Sequence, residues 1–238
     1  MAESGRGRSE QTREAILTAA EVAFAERGFD GARIDAIAEA SGYNKTLIFR
    51  YFGDKVGLYS ATLRRLDQHM GELQAFLIAP LLEDAAVMAD ARQLRAFLTT
   101  ALTAFYDFMV EHPHLMRIML WEHAGGWQTY ARVAAVFEVP NLSSLQQRFQ
   151  NAQGAGLFRP NGDPLVLLLL AEQICWSLPT ALPFYQLALP GRTFASAVSR
   201  ARVRDEVIAF IVAGLLADPQ INDNASGAFS PHQPLAEE

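Results

Sequence analysis

Apolar positions recur at three- and four-residue spacing along most of this chain, and no stretch alternates convincingly, so the expected fold class is all-α. From Ser9 onward, Ile16, Leu17, Ala20, Ala23 and Phe24 mark a first helix over about 9–27, with Gly28 as its C-terminal stop. Residues 1–8 are polar and Gly-containing and are expected to form a flexible arm. Ile34, Ile37 and Ala38 share one face of a second short helix, after which Ser41-Gly42 tolerates a sharp change of direction. Asn44 is placed as an N-cap, and Ile48, Tyr51 and Phe52 supply the next apolar set. A third helix over about 45–51 then leaves Lys45, Thr46 and Arg50 on its open face until Gly53 ends it. Two short helices joined by a Gly-containing turn, the second with a basic open face, are the helix-turn-helix arrangement, whose second helix lies in the DNA major groove.

Beyond this head, Asp54 caps a long helix over 54–78 carrying Val56, Leu58, Tyr59, Leu63, Leu66, Met70 and Leu73, and Pro80 limits it. After a weak linker, Asp90-x-x-Gln93 resembles a capping box and opens an amphipathic helix with Leu94, Phe97, Leu98, Phe105, Phe108 and Met109. Pro113 stops that helix and starts another with Leu115, Met116, Met119 and Leu120 inward, and Gly125-Gly126 breaks it. A helical pattern from Trp127 to Gly154 should kink or split at Pro140. Asp163-Pro164 opens a helix over 163–178 that is apolar nearly all round, and Pro179, Pro183 and Pro190 then punctuate a loop. A last helix spans 201–217, and the Asn-, Ser- and Pro-rich tail over 219–238 is expected to be disordered. The organisation expected is an arm (1–8), a three-helix head (9–53) and a body (54–218) of six helices, about nine helices in all.

The stretch AEASGYNKTLIFRYFGDKVGLY resembles the signature of the tetracycline-repressor (TetR) family of bacterial transcriptional regulators, from Ile37-Ala38 through Gly42, Ile48, Phe49, Tyr51-Phe52 and Lys55 to Leu58. It departs from the family pattern at Asn44 (usually serine), Thr46 (usually glycine), Phe49 (usually tyrosine) and Arg33, which stands near the usual threonine of the first motif helix. The resemblance implies a dimeric regulator, most often a repressor, that binds a palindromic double-stranded DNA operator. It also implies a helical body holding a small apolar or aromatic effector, with the 54–78 helix as a lever between the two. Phe49 lacks the phenol that the family's tyrosine offers to phosphate, so Arg50, Tyr51 and Lys55 are expected to hold the backbone. Arg33 and Lys45 are the candidates for guanine O6 and N7, assisted by Asn44 and Thr46. Thr12 and Arg13 are expected near phosphate, and the arm residues Arg6 and Arg8 in a minor groove.

Charge changes this picture only by its distribution. The chain has 238 residues, half of them hydrophobic, and a net charge of −6, which does not by itself suggest nucleic acid. Residues 1–55 hold eight Lys/Arg against nine Asp/Glu, yet both lysines of the chain, Lys45 and Lys55, fall in the motif. A local basic face on an acidic body limits indiscriminate binding to DNA. The single Cys175 excludes an intrachain disulfide and fits a reducing compartment. The polar N-terminus and the short aliphatic run Leu165–Ala171 give no signal peptide and no expected membrane span, so a cytoplasmic location is expected.

Among the soft side chains of the body, Phe105, Phe108, Met109, Met116, Met119, Trp121, Trp127, Tyr130, Gln173, Trp176 and Phe184 are the candidates for an effector pocket, though such residues also serve as ordinary core. Tyr185 belongs to the same group. Glu172, Gln173 and Ser177 interrupt the apolar helix and either satisfy one another across an interface or read a polar group of the effector. The surplus apolar surface of the last two long helices fits a homodimer contact through Leu165, Leu168, Leu169, Glu172, Val207, Phe210, Ile211 and Leu215. His112, His114 and His123 with Glu111 and Glu122 are the residues that could suggest a metal, but His112 and His114 straddle Pro113 and would point apart on a regular helix, so no metal is expected, and no cofactor either. No nucleophile elbow, phosphate loop or metalloprotease motif occurs, which leaves a helical enzyme and a protein-interaction module as rivals without motifs of their own.

Overall fold

The computed structural model describes residues 2–84, 86–88, 90–133 and 142–217. Pro140 and the tail over 219–238 lie outside them. Ten helices lie among the described residues: α1 (Ala2–Gly31), α2 (Ile34–Ser41), α3 (Lys45–Phe52), α4 (Lys55–Glu83), α5 (Ala91–Glu111), α6 (Pro113–Ala124), α7 (Gln128–Val133), α8 (Leu142–Gly154), α9 (Pro164–Ala188) and α10 (Ala197–Leu215). The all-α expectation holds, with one isolated antiparallel bridge, Phe158 to Leu216, outside the helices. The count exceeds nine because the run from Trp127 to Gly154 contributes two separate helices, α7 and α8.

The head forms because each short helix has a local start and a local stop. The Asn44 side chain accepts a hydrogen bond from the Leu47 N–H at 2.9 Å, which satisfies one of the orphan donors of α3. The Asp54 carboxylate does the same for the Gly57 N–H at 2.7 Å and opens α4. Between α2 and α3, Gly42 takes a left-handed conformation (φ 75°, ψ 14°) that a β-carbon would strain. Ile16, Phe24, Ile37, Ile48 and Leu58 are then fully buried where α1 to α4 meet. The rings of Phe24 and Phe29 meet Tyr59 edge-on at 4.8 and 5.2 Å, joining both sides of the α1 kink to α4.

Three boundaries differ most from expectation. First, α1 begins at Ala2, so residues 2–8 are helix rather than a flexible arm, and the expected start, Ser9, lies inside it. No proline or competing cap interrupts these residues; the Ser9 hydroxyl pairs with the Tyr51 hydroxyl at 3.0 Å and the Thr12 hydroxyl donates to the Arg8 carbonyl. Second, α4 continues past 78 through Pro80 to Glu83. The proline loses one backbone donor close to the helix end, while Leu81 just beyond it is buried.

Third, α9 continues through Pro179 and Pro183 to Ala188, where a loop is expected from sequence. Leu178 and Leu182, one before each proline, are buried, and this packing outweighs the local preference to stop. The Ser177 and Thr180 hydroxyls add hydrogen bonds to the carbonyls of Ile174 and Ser177 in the same stretch. The aliphatic run Leu165–Ala171 is thus part of a 25-residue helix whose most apolar 18-residue window has a mean hydropathy of 1.7, long and apolar enough by composition to cross a membrane. Here it packs against α5, α8 and α10 within the body. Arg204 of α10 clamps Asp107 of α5 with two hydrogen bonds of 2.7 and 2.9 Å.

Candidate DNA-binding face and the cavity behind it

On α3, Lys45, Thr46, Phe49 and Arg50 all face solvent while Ile48 is fully buried, as the spacing predicts. Asn44 at the helix start is exposed as well. Lys45 is not a bare charge: its ammonium lies 2.9 Å from the Asp35 carboxylate of α2. Such an exposed pair is worth little in itself, so the lysine can exchange Asp35 for another acceptor. Arg33 holds the N-cap position of α2 without a cap hydrogen bond and borders a shallow groove beside Val22, Glu26 and Ala36.

Four other residues expected at DNA have structural tasks instead, or as well. Lys55 donates to the Asp30 carbonyl at 3.2 Å and lies 4.8 Å from the Phe29 ring centroid, which ties α4 to the end of α1. Thr12 is buried and its hydroxyl lies 3.4 Å from the Tyr43 hydroxyl, so it faces the α2–α3 turn and not an open helix end. Arg13 sits 5.7 Å above the Phe52 ring. The Tyr51 hydroxyl is engaged with Ser9. Arg8 is exposed on α1; Arg6 is on the same helix, with its side chain outside the described residues.

In the body, a cavity of about 350 Å³ is lined by Leu63, Met70, Phe105, Met109, Leu115, Met119, Trp127, Tyr130, Leu169, Glu172, Gln173 and Trp176. Phe105, Met109, Met119, Trp127, Tyr130, Gln173 and Trp176 therefore come together as expected. The other four pocket candidates do not. Phe108 stacks on His112 with ring centroids 4.0 Å apart, Met116 is buried core, and Phe184 is 65% exposed on the far part of α9. Trp121 points toward the head. A second, more aliphatic cavity of about 320 Å³ adjoins the first and shares Met70, Phe105, Leu169 and Glu172 with it.

Helix α6 links this cavity to the head. The Glu122 carboxylate is buried and accepts from the Tyr59 hydroxyl of α4 at 2.5 Å and from the Tyr130 backbone N–H at 2.9 Å. Burial pushes the Tyr59 phenol far up, and the Glu122 hydrogen bond adds to it, so the phenol stays protonated and donates. Next to it, the Trp121 indole donates to the Ala25 carbonyl of α1 at 3.2 Å. Its ring fills the space beside Gly28, whose φ of 67° makes the α1 kink; a β-carbon there would lie 3.0 Å from the indole. His114 lies 3.0 Å from Glu21 of α1 at the other end of α6. Glu122 and Trp121 enter the sequence reading only as a metal candidate and a pocket candidate, because partners 63 and 96 residues away leave no local signal.

The expected dimer surface also divides. Leu169 and Phe210 are 58% and 77% exposed, together with Val166 and Leu170 beside Leu169. Leu165, Leu168 and Val207 are half-buried. Ile211 and Leu215 are buried within the protomer and cannot belong to an outer contact. Glu172 belongs to the cavity wall, where burial raises its carboxyl to about 7. The outward stripe falls on other positions because α10 turns Ile208, Ile211, Val212 and Leu215 toward its own protomer.

Residues 16–62 match the profile of bacterial regulatory proteins of the tetR family. The chain is 26% identical to the HTH-type transcriptional repressor NicS of Pseudomonas putida over 71% of its own length and 76% of that protein. It is 45% identical to the HTH-type transcriptional regulator RutR of Escherichia coli over 34% of its length and 36% of that protein. With the HTH-type transcriptional activator FasR of Mycolicibacterium smegmatis it shares 31% identity over 55% of its length and 53% of that protein. RutR and FasR are thus matched over about a third and about half of their lengths. The fold is shared with a TetR family transcription regulator from Marinobacter aquaeolei, at a TM-score of 0.57 and 19% identity over 90% of this chain and 100% of that one. The helix-turn-helix head, with Lys45 and Arg50 facing solvent, is thus of the tetR-family type over residues 16–62, the body shares the fold of such structures, and the chain is a DNA-binding transcriptional regulator.

Proposed function

We propose that the chain is a cytoplasmic, ligand-responsive repressor that binds a palindromic operator as a homodimer. The observation that carries this reading is the α6 link: Glu122 bonds both Tyr59 of α4 and Tyr130 at the end of the cavity-lining segment 127–130, while its neighbour Trp121 is bonded to α1. A molecule that shifts Trp127 or Tyr130 moves the Tyr130 N–H, and through Glu122 moves Tyr59 and the head. A coupling of roughly 1–3 kcal/mol changes operator affinity about 5- to 150-fold. Repression is favoured by the names of NicS and of the Streptomyces coelicolor repressor SCO4008, while FasR is named as an activator.

The apolar stripe of Val166, Leu169, Leu170 and Phe210 supports two-fold pairing, which sets two α3 helices on one duplex. Successive major-groove segments lie about 34 Å apart, or multiples of that, so the operator is an inverted repeat. Sedimentation velocity of the chain alone and with a duplex enriched from a random pool tests the reading. Two chains per inverted repeat are expected, and a single chain bound to a duplex without internal symmetry would overturn it.

A further inference from the structure

The two adjoining cavities differ in character, and one carboxylate stands at their boundary. The first is walled by the rings of Trp127, Tyr130 and Trp176, whereas the second is lined by aliphatic side chains such as Leu77, Leu98 and Leu102. Glu172 is the only acidic or basic residue among the described lining of either. Its carboxylate makes no hydrogen bond or ion pair among the described residues, and no Lys, Arg or His lines either chamber. An ionised carboxylate in apolar surroundings is costly until a counter-charge reaches it. Aromatic faces bind ammonium groups, because the ring quadrupole attracts a cation without hydrogen bonds. An anionic ligand would meet Glu172 with no basic residue to hold it.

From this arrangement we infer that the cavity takes a cationic amphiphile, an alkyl ammonium compound whose charged head sits beside Glu172 between Trp127, Tyr130 and Trp176 while its hydrocarbon tail fills the aliphatic chamber. The inference rests on the reading of the cavity as the effector site and deepens it to a ligand class. Met70, Met109 and Met119 line the first chamber and give it walls that adjust to heads of different size. Burial holds the Glu172 carboxyl near 7, so a bound cation favours release of the proton that the unliganded protein holds in part at neutral pH. The combined volume lies in the range of ordinary small-molecule sites.

The test is a set of tryptophan-fluorescence titrations of the full chain with decyltrimethylammonium, decanol and decanoate, all below micelle-forming concentrations. These probes share one tail and differ in head charge. Decyltrimethylammonium is expected to bind about tenfold or more tighter than the other two, and Glu172→Gln is expected to remove that preference. Should Glu172→Gln fail to fold, judged by its circular dichroism, the ranking of heads on the unsubstituted chain still decides. Decanoate equal to or tighter than the cation, an unchanged cation preference in folded Glu172→Gln, or no binding of any probe would each overturn the inference. Operator affinity with each probe present separates this from the broader reading. If decanol or decanoate releases DNA and the cation does not, the ligand class falls and the effector cavity stands; if every probe that binds the cavity leaves DNA affinity unaltered, the effector reading itself falls.

Discussion

The Tyr59 hydroxyl donates to the Glu122 carboxylate across 2.5 Å of buried space, and this one bond joins the lever helix α4 to the helix that faces the cavity. Tyr59→Phe keeps the ring packing against Phe24 and Phe29 and deletes only the donor. Glu122 is then left buried with the Tyr130 N–H as its other hydrogen-bond donor in this bond pair, which is expected to cost about 1–3 kcal/mol of stability in urea unfolding. A loss below a few tenths of a kcal/mol would mean that water replaces the phenol there.

Gly28 and Trp121 form the second joint between head and body. Gly28→Ala adds a β-carbon 3.0 Å from the indole at a φ of 67°, so both strain and crowding oppose it. Its expected cost is about 1–3 kcal/mol. Trp121→Ala removes the crowding but also the bond to Ala25, so the double mutant should be less destabilised than the sum of the single ones. Strict additivity in thermal unfolding would contradict the contact.

The head was the most legible part of the chain, and the reason is physical. Asn44, Gly42, Gly53 and Asp54 act on backbone groups within a few residues, so their effect can be read locally. The continuation of α9 past Pro179 depends on burial of Leu178 and Leu182, and the task of Lys55 depends on Asp30 and Phe29, which a local pattern does not contain. Likewise, the helical period showed that α9 and α10 carry surplus apolar surface. It did not show that Ile211 and Leu215 turn inward while Phe210 turns out.

At the DNA face, Arg50 and Lys45 should behave differently. Arg50→Ala is expected to weaken binding to all duplexes alike and to reduce the salt slope by about one phosphate contact. Lys45→Ala is expected to relax preference at one base pair in each half-site, at about 1–3 kcal/mol. Asp35→Asn frees Lys45 from its carboxylate and should tighten non-specific binding. Fluorescence anisotropy at several salt concentrations reads all three; unaltered affinity in both Arg50→Ala and Lys45→Ala would remove α3 as the reader.

For pairing, Leu169→Glu with Phe210→Glu places charges on the outward stripe, at positions 58% and 77% exposed in the protomer. Protomer helicity should persist while the sedimenting species becomes a monomer and operator binding falls steeply. A double variant that still sediments as a dimer would move the interface elsewhere.

Glu172 also predicts a pH dependence. Its folded-state value of about 7 lies above the ordinary 4.5, so the folded chain holds a proton there that the unfolded chain has released. Stability should therefore fall as pH rises from about 4.5 through 7, by about 3 kcal/mol at most from this group. The nearby Cys175 thiol, pushed up to about 12 by burial, remains neutral throughout. Glu172→Gln should flatten this part of the stability profile, and an identical slope in both proteins would show that Glu172 stays ionised when folded.

Sequence-specific recognition of DNA by α3 is the centre of the account, and selection from a random duplex pool by the intact chain, repeated with Lys45→Ala, tests it most directly. The intact chain is predicted to enrich an inverted repeat whose half-sites lie about one helical turn apart or a multiple of it, and the variant to lose preference at symmetric positions in both halves. No enriched sequence, or the same sequence enriched equally by both proteins, would contradict the account.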